Sequence, residues 1–284
     1  MGLSAQEVAE LRRLANQARY LAIEAVYRAK AGHIGGPLSM ADIVTTLYHR
    51  VLRIDPANPR WPARDRFILS KGHATIGLYA VLALRGFFPV EELATFDAIG
   101  SRLQAHPDMT VLPGLDMSTG SLGQGLSAGV GMALGAKLRG LDFRTYVLIG
   151  DGESQEGQVW EAAFVAHRYA LDNLTAIVDY NGLQQFGWAD ASGQRLPPNE
   201  SLAAKWQAFG WTVQEIDGHD PAAVYDACEA ARTTTGRPSV IIARTVKGKG
   251  VSFMEGNFEW HSRVPTEAEL AQARRELGAE VSLT

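Results

Sequence analysis

Two oxygen-bearing side chains, Asp151 and Asn181, stand about thirty residues apart, each just past the end of an apolar run, "TYVLIG" and "LTAIVDY". In an open parallel sheet, ligands bind outside the carboxyl ends of the strands. If the two runs are neighbouring strands, both side chains reach one crevice. A carboxylate and an amide oxygen make a hard, oxygen-only half-shell suited to Mg²⁺ or Ca²⁺, with phosphate oxygens and water completing it. Gly152 lets the backbone approach a phosphate, and the helix N-terminus behind it favours negative charge. Taken singly, Asp151 reads as a helix cap and Asn181 as a turn residue; at matching strand ends they read as a cation site.

Seven histidines are present, and His33, His73, His106 and His261 fall in turns containing Gly, Ser or Pro. His49, His167 and His219 lie in or beside ordinary elements and read as structural or exposed. No pair has the helical or hairpin spacing of a zinc site. Imidazole can donate hydrogen bonds and move protons near neutral pH. "KGKG", Lys247 to Gly250, reads equally as a phosphate grip and as a solvated loop. The Gly-rich stretch "TGSLGQG" has the wrong spacing for a dinucleotide fingerprint, and no Walker loop occurs.

The elements that must hold these residues follow from period and punctuation. Ser4 and Glu7 form a capping-box pattern that opens a helix ending at Gly32. A second helix is expected from Ser39, with Ile43, Leu47 and Val51 inward. Arg66 to Ser70 reads as a buried strand and Ala74 to Arg85 as a helix. Gly100 to Gly123 reads as a long ordered loop, a kind that is often functional. A small-residue helix from Gln124 to Leu138 follows. Then come strand "TYVLIG", helix Glu156 to Tyr169, strand "LTAIVDY" and a Gly- and Pro-rich loop to Pro198. The rest reads as helix Leu202 to Ala208, strand "WTVQEI", helix Pro221 to Thr233 capped by Asp220, strand "SVIIART", and a capped helix from Thr266 to Gly278. Apolar runs without alternation predict strands covered on both faces. Strands alternating with helices predict an α/β fold, a doubly wound, mostly parallel sheet flanked by helices. With no convincing linker, residues 1–284 read as a single domain.

The 284 residues are 46% hydrophobic, enough for a sizeable core. A formal net charge of −4 argues against nucleic acid as a partner. No apolar run approaches a membrane span; the longest, Leu78 to Leu84, reads as buried helix. "MGLSAQ" has no signal-peptide core, and Gln6 stands where a myristoylation signal wants Ser or Thr. The one cysteine, Cys228, cannot form a disulfide within the chain, which fits a cytoplasmic location.

The "GDG…N" pattern resembles the thiamine diphosphate motif. In order along the chain, "GHIGGPLSMADI", "LSKGHA", "AHPD", "TGSLGQGLSAGVGMALG", "GDGESQEGQVWEA" and "TVKGKGVSFMEG…WHS" resemble the N-terminal, diphosphate-binding portion of transketolases. The resemblance runs from about residue 20 to residue 262. It implies thiamine diphosphate and Mg²⁺ as cofactors, with Ca²⁺ or Mn²⁺ as substitutes. It also implies that Asp151, the Asn181 side chain and the Leu183 carbonyl hold the metal. Gly150 and Gly152 would lie at the diphosphate, helped by His73 and His261; Gly120 and Leu122 would meet the aminopyrimidine. His33, His73, His106 and His261 would line the substrate channel. Glu156, with Glu161 near it, would match the acid linking two cofactor sites of a dimer. Ser121 stands where many relatives have proline, which implies a looser pyrimidine loop.

In relatives with one long chain, the glutamate that activates the cofactor lies in a second domain, beyond the region matched here. The resemblance is therefore to the N-terminal subunit of a split transketolase. It implies, as partner, a separate chain carrying the pyrimidine domain, together with an α2β2 assembly and two-carbon ketol transfer between sugar phosphates. The alternatives are another thiamine-dependent carboligation, ketol transfer in a specialised pathway, and a non-catalytic cofactor-binding subunit.

Overall fold

The computed structural model describes residues 2–185, 188–189, 191–192, 195–196 and 201–283. Five of its strands form one fully parallel sheet: β1 (Arg66–Leu69), β2 (Thr145–Gly150), β3 (Leu174–Tyr180), β6 (Thr212–Asp217) and β7 (Ser239–Arg244), in the order β1-β2-β3-β7-β6. Two further short strands, β4 (Trp188–Ala189) and β5 (Arg195–Leu196), pair antiparallel with each other. They fall within the Gly- and Pro-rich loop predicted up to Pro198, much of which lies outside the described residues.

Successive strand side chains point to opposite faces, and the two faces build two cores. Phe67, Leu69, Tyr146, Leu148, Ile177 and Ile241 join the larger core. It is covered by α1 (Ala5–Ala29), α2 (Gly35–Ser39), α3 (Ala41–Thr46), α4 (Thr75–Arg85), α8 (Pro221–Thr233) and α9 (Glu267–Leu277). Ile68, Val147, Ile149, Ala176, Val178 and Ile242 point the other way, beneath α5 (Gln124–Leu138), α6 (Gly157–Arg168) and α7 (Leu202–Ala208). The doubly wound sheet predicted from the apolar runs is thus observed.

Where the structure departs from the sequence reading, local geometry explains it. The first helix has its predicted capping box but ends at Ala29, because Lys30, short of Gly32, already takes the left-handed conformation. The second helical region begins at Gly35 rather than Ser39, breaks at Met40, and ends in a wide π-type turn over Leu47–Val51. Ile43, Leu47 and Val51 are nevertheless buried as expected. β6 is only partly covered because it is the sheet edge, so the expectation of two buried faces fails for this strand.

The register brings the chemistry to one side. Leu69 pairs with Leu148, Gly150 with Asp179, and Tyr180 with Arg244. The segments after β1, β2, β3 and β7 therefore leave the sheet side by side at its carboxyl edge. Packing there is tight: a Cβ on Gly72 would sit 2.6 Å from the Thr119 carbonyl carbon, so the loop before α5 rests directly on the turn after β1.

Helix α5 lies close to β2 for the same reason. A Cβ on Gly129 would fall 2.4 Å from Val147 Cγ2, whereas one on Gly131 meets nothing within 4 Å. Gly129→Ala is expected to destabilise the isolated chain by about 1–3 kcal/mol through overpacking. Gly131→Ala should stabilise it by about 0.5–1 kcal/mol, because alanine has the lower backbone entropy cost in a helix. Urea melts that move both variants in the same direction would contradict this packing.

Candidate functional site

Asp151 and Asn181 follow the adjacent strands β2 and β3, as their spacing requires for a shared crevice. Asp151 is buried. Its Oδ1 accepts the Gly152 N–H at 2.8 Å and its Oδ2 the Gly182 N–H at 2.6 Å. Asn181 Oδ1 accepts the Leu183 N–H at 3.1 Å. One oxygen of each side chain is thus gathered by consecutive N–H groups of a single turn. Asn181, Gly182, Leu183, Thr245 and Lys247 line a cleft of about 400 Å³.

Burial first, and then the neighbouring Asp179 carboxylate, push the Asp151 carboxyl up to about 7. A buried carboxylate in that state gains from a cation at its side, and the amide oxygen next to it adds a hard neutral donor. The donor set therefore fits a divalent cation that keeps part of its coordination for phosphate and water. Among the described residues no cluster of three or more His, Cys, Asp or Glu is arranged around a common metal position. The oxygen site uses an amide instead, so such a cluster is not needed.

The four turn histidines converge. The His33 ring centre lies 5.1 Å from those of His73 and His261 and 6.4 Å from that of His106, and His73 and His261 are 5.2 Å apart. They arrive on four segments: the approach to α2, the turn after β1, the long loop, and a 3₁₀ turn over Phe258–His261. Burial and nearby positive charge lower His73 to about 2 and His261 to about 3, and burial likewise lowers His33. These three imidazoles are neutral at pH 7, so each ring can donate one hydrogen bond and accept another. His33 Nδ1 is buried with no hydrogen-bond partner among the described residues.

Lys247 is buried, so the solvated-loop reading of "KGKG" is wrong for it. Its Nζ donates to the Gln184 carbonyl at 2.6 Å and lies 2.9 Å from His261 Nδ1. Burial, and then the charge of Lys71, lower it to about 8. Only Lys249, partly exposed and 3.4 Å from Glu255, behaves as a surface residue. An ammonium so poorly solvated favours an anion in the adjoining cleft.

Lys71, Asp179, Glu153, Ser70, Ser39 and Thr245 were not singled out by sequence reasoning. Asp179, completely buried, pairs with Lys71 and accepts from Ser39 Oγ at 2.5 Å and from Thr245 Oγ1. Burial works to raise its carboxyl, and the Lys71 ammonium with these hydrogen bonds overcomes that and holds it below the usual range. Glu153 accepts from Gly123 N at 2.7 Å, Gly150 N at 3.0 Å and Ser70 Oγ, tying together three segments at the carboxyl edge. A charged residue inside an apolar strand was the available signal for Asp179. Glu153 offered none, since acids are common in a helix's first turn.

The remaining predicted residues are more dispersed. Gly120 lines a second cleft of about 580 Å³ with His106, Thr119 and Gln124. Leu122 is 37% exposed beside it, and its carbonyl accepts from Gln158 Nε2 at 2.8 Å. Glu156 is exposed at the N-cap of α6, against Gly123, and Glu161 is exposed further along that helix. Neither joins the histidine cluster. His219 bridges Asp42, 2.8 Å away, and the Val246 N–H, also at 2.8 Å; His49 is partly buried, and His167 is exposed.

Residues 11–283 match the family model described as "Transketolase, thiamine diphosphate binding domain". The chain is 47% identical over 278 residues to the 6-deoxy-6-sulfo-D-fructose transketolase subunit SqwG of Clostridium sp. (strain MSTE9), covering 98% of this chain and 99% of that protein. It is 43% identical over 275 residues to an apulose-4-phosphate transketolase subunit of Phocaeicola vulgatus, covering 97% of this chain and 95% of that one. The crystal structure of a Pichia stipitis transketolase (the R525L mutant) superposes with a TM-score of 0.89 at 32% identity, over 96% of this chain but 42% of that one. Against such full-length transketolases the chain spans about two fifths of the length, whereas it spans nearly all of the two subunits. The chain belongs to the transketolase family of transferases, and it is a thiamine diphosphate-binding domain of that family.

Proposed function

We propose that this chain, as one domain, is the diphosphate-binding half of a two-chain transketolase, transferring a two-carbon ketol unit between sugars with anionic termini. The observation that carries this reading is the convergence of a buried oxygen site, a buried ammonium and four histidines at one edge of the sheet. Asp151, Asn181 and the Leu183 carbonyl are the proposed holders of a divalent cation, Mg²⁺ first, with Ca²⁺ or Mn²⁺ as substitutes. Gly150, Gly152, His73, Lys247 and His261 flank the diphosphate, and Gly120 and Leu122 face the aminopyrimidine. The cofactor would supply the carbon nucleophile that attacks the donor's keto carbon. The chain's own part is to bind the diphosphate, orient the sugar and move protons. The neutral imidazoles of His33, His73 and His261 suit hydroxyl groups, which need both donors and acceptors, and exposed His106 lines the cleft beside Gly120.

The near end-to-end match to two proteins named as subunits supports a separate partner, proposed to carry the pyrimidine domain. Exposed Glu156 and Leu122 fit a surface completed by other subunits, and an α2β2 assembly would bring in both a partner and a second copy. The relatives' names point to a sulfonated and a phosphorylated sugar, so a terminal anion is the proposed common substrate feature. No helix among the described residues is long and apolar enough to cross a membrane. Cys228 is free and buried. A cytoplasmic location is proposed on that basis.

Mixing supplies the direct test. The purified chain with thiamine diphosphate and Mg²⁺ is expected to show no ketol transfer until a pyrimidine-domain partner is added. Sustained turnover by the homogeneous chain alone would reject the two-chain reading. In the reconstituted enzyme, Asp151→Ala should abolish Mg²⁺-dependent cofactor binding measured by calorimetry. His33→Ala should lower turnover by about 10²–10⁴-fold with cofactor affinity nearly kept, the usual cost of losing a positioned proton-transfer group.

Lys247 also predicts a pH signature. Its folded-state pKa, about 8, lies below its ordinary 10.5. Between these values the unfolded chain holds a proton that the folded chain has lost, so this contribution to stability rises from about pH 8 to 10.5. The stability difference between the ligand-free wild type and Lys247→Met, read in urea melts, should move towards the wild type across that window. A flat difference would mean the ammonium is adequately solvated.

A further inference from the structure

The side-chain amide of Asn181 has nearly the same shape either way round, yet only its oxygen can bind a cation. Its Nδ2 lies 3.3 Å from Ser39 Oγ and 3.4 Å from Asp179 Oδ2, while its Oδ1 accepts from Leu183 N. Asp179 is completely buried and is fixed by Lys71 from the turn after β1, Ser39 from α2 and Thr245 from the end of β7. An ionised carboxylate accepts hydrogen bonds and donates none. With Asp179 behind it, the amide must turn its NH₂ inward and its oxygen outward, to the turn whose Gly182 N–H holds Asp151 Oδ2. The reversed amide would set two oxygens against each other and turn N–H donors towards the cation.

We propose that Asp179, held by Lys71, Ser39 and Thr245, is a positioning residue that fixes the Asn181 amide with its oxygen towards the divalent cation. The inference rests on the cation site proposed above for Asp151 and Asn181. Asp179 does not touch the cation itself; it acts through Asn181. Residues behind metal ligands typically carry about 10–100-fold of metal affinity.

The test is a Mg²⁺ titration, at fixed thiamine diphosphate, of the full chain together with its partner. The readouts are calorimetry and tryptophan fluorescence. Trp160 is a local reporter, because its indole N–H donates to the Ser154 carbonyl at 2.9 Å, in the turn that follows Asp151. Asp179→Asn is expected to weaken Mg²⁺ by about 10–100-fold. In an Asn181→Asp background, where both faces of the side chain carry oxygen, the same substitution should cause no further loss. A purely structural role for Asp179 would weaken binding equally in both backgrounds, and that result would overturn the inference, as would an unchanged affinity for Asp179→Asn. If Asp179→Asn fails to fold because Lys71 loses its partner, the Lys71→Met/Asp179→Asn pair, which removes both charges, carries the same two expectations. Should the wild-type complex show no Mg²⁺-dependent cofactor binding, the cation site itself is refuted, and this inference with it. Wild-type binding with an indifferent Asp179 refutes the inference alone.

Discussion

The buried pair of Lys71 and Asp179 is the interaction on which the rest of this edge depends. Both groups are almost completely withdrawn from water, and such a pair persists only when its remaining hydrogen-bonding capacity is satisfied. The pair itself joins the turn after β1 to β3, and the satisfying groups come from α2 and the end of β7. One carboxylate thereby locks the segments that carry Gly36, His73, Asn181 and Lys247. Removing either partner of a buried pair typically costs about 3–5 kcal/mol, since it leaves a charge without compensation. A second buried carboxylate, Glu153, does the same for Gly123 and Gly150 through neutral donors.

Charge balance at the edge would suit an anion joined to a cation. Two ammoniums, Lys71 and Lys247, stand near three histidines kept neutral largely by burial. Two aspartates, Asp151 and Asp179, stand opposite, and Asp179 is bonded directly to the Lys71 ammonium. A diphosphate carrying a divalent cation would offset both sides at once, the metal against Asp151 and the phosphate oxygens against Lys247. The oxyanion and the metal are complementary demands of one arrangement. In the arrangement proposed above, the neutral histidines beside it would leave the sugar side free of competing charge.

The clefts containing Asn181 and Gly120 open along the same edge, and apolar Leu122 stands exposed beside the second. This geometry suits a cofactor held at one end by this chain and covered at the other by a second chain. The match in length to two transketolase subunits, and to about two fifths of a full-length enzyme, agrees with such a division.

The sequence by itself determined the elements and the chemistry at their ends. Helices α5, α7 and α8 and strands β2 and β3 occupy the predicted residues, because caps, apolar runs and glycine punctuation are local signals. Asp151 and Asn181 were legible because they stand at matching ends of two apolar runs, and the four histidines because they fall in turns containing Gly, Ser or Pro rather than in the apolar faces of helices or strands. Only the tertiary structure decided strand order, which made β6 a half-covered edge and β2 and β3 neighbours. It alone decided that Lys247 is buried, that Lys71 meets Asp179 across 108 residues of chain, and that Glu156 faces outward. The physical reason is that burial and pairing depend on what other segments bring to the same place, and a residue's immediate neighbours in sequence do not carry that information.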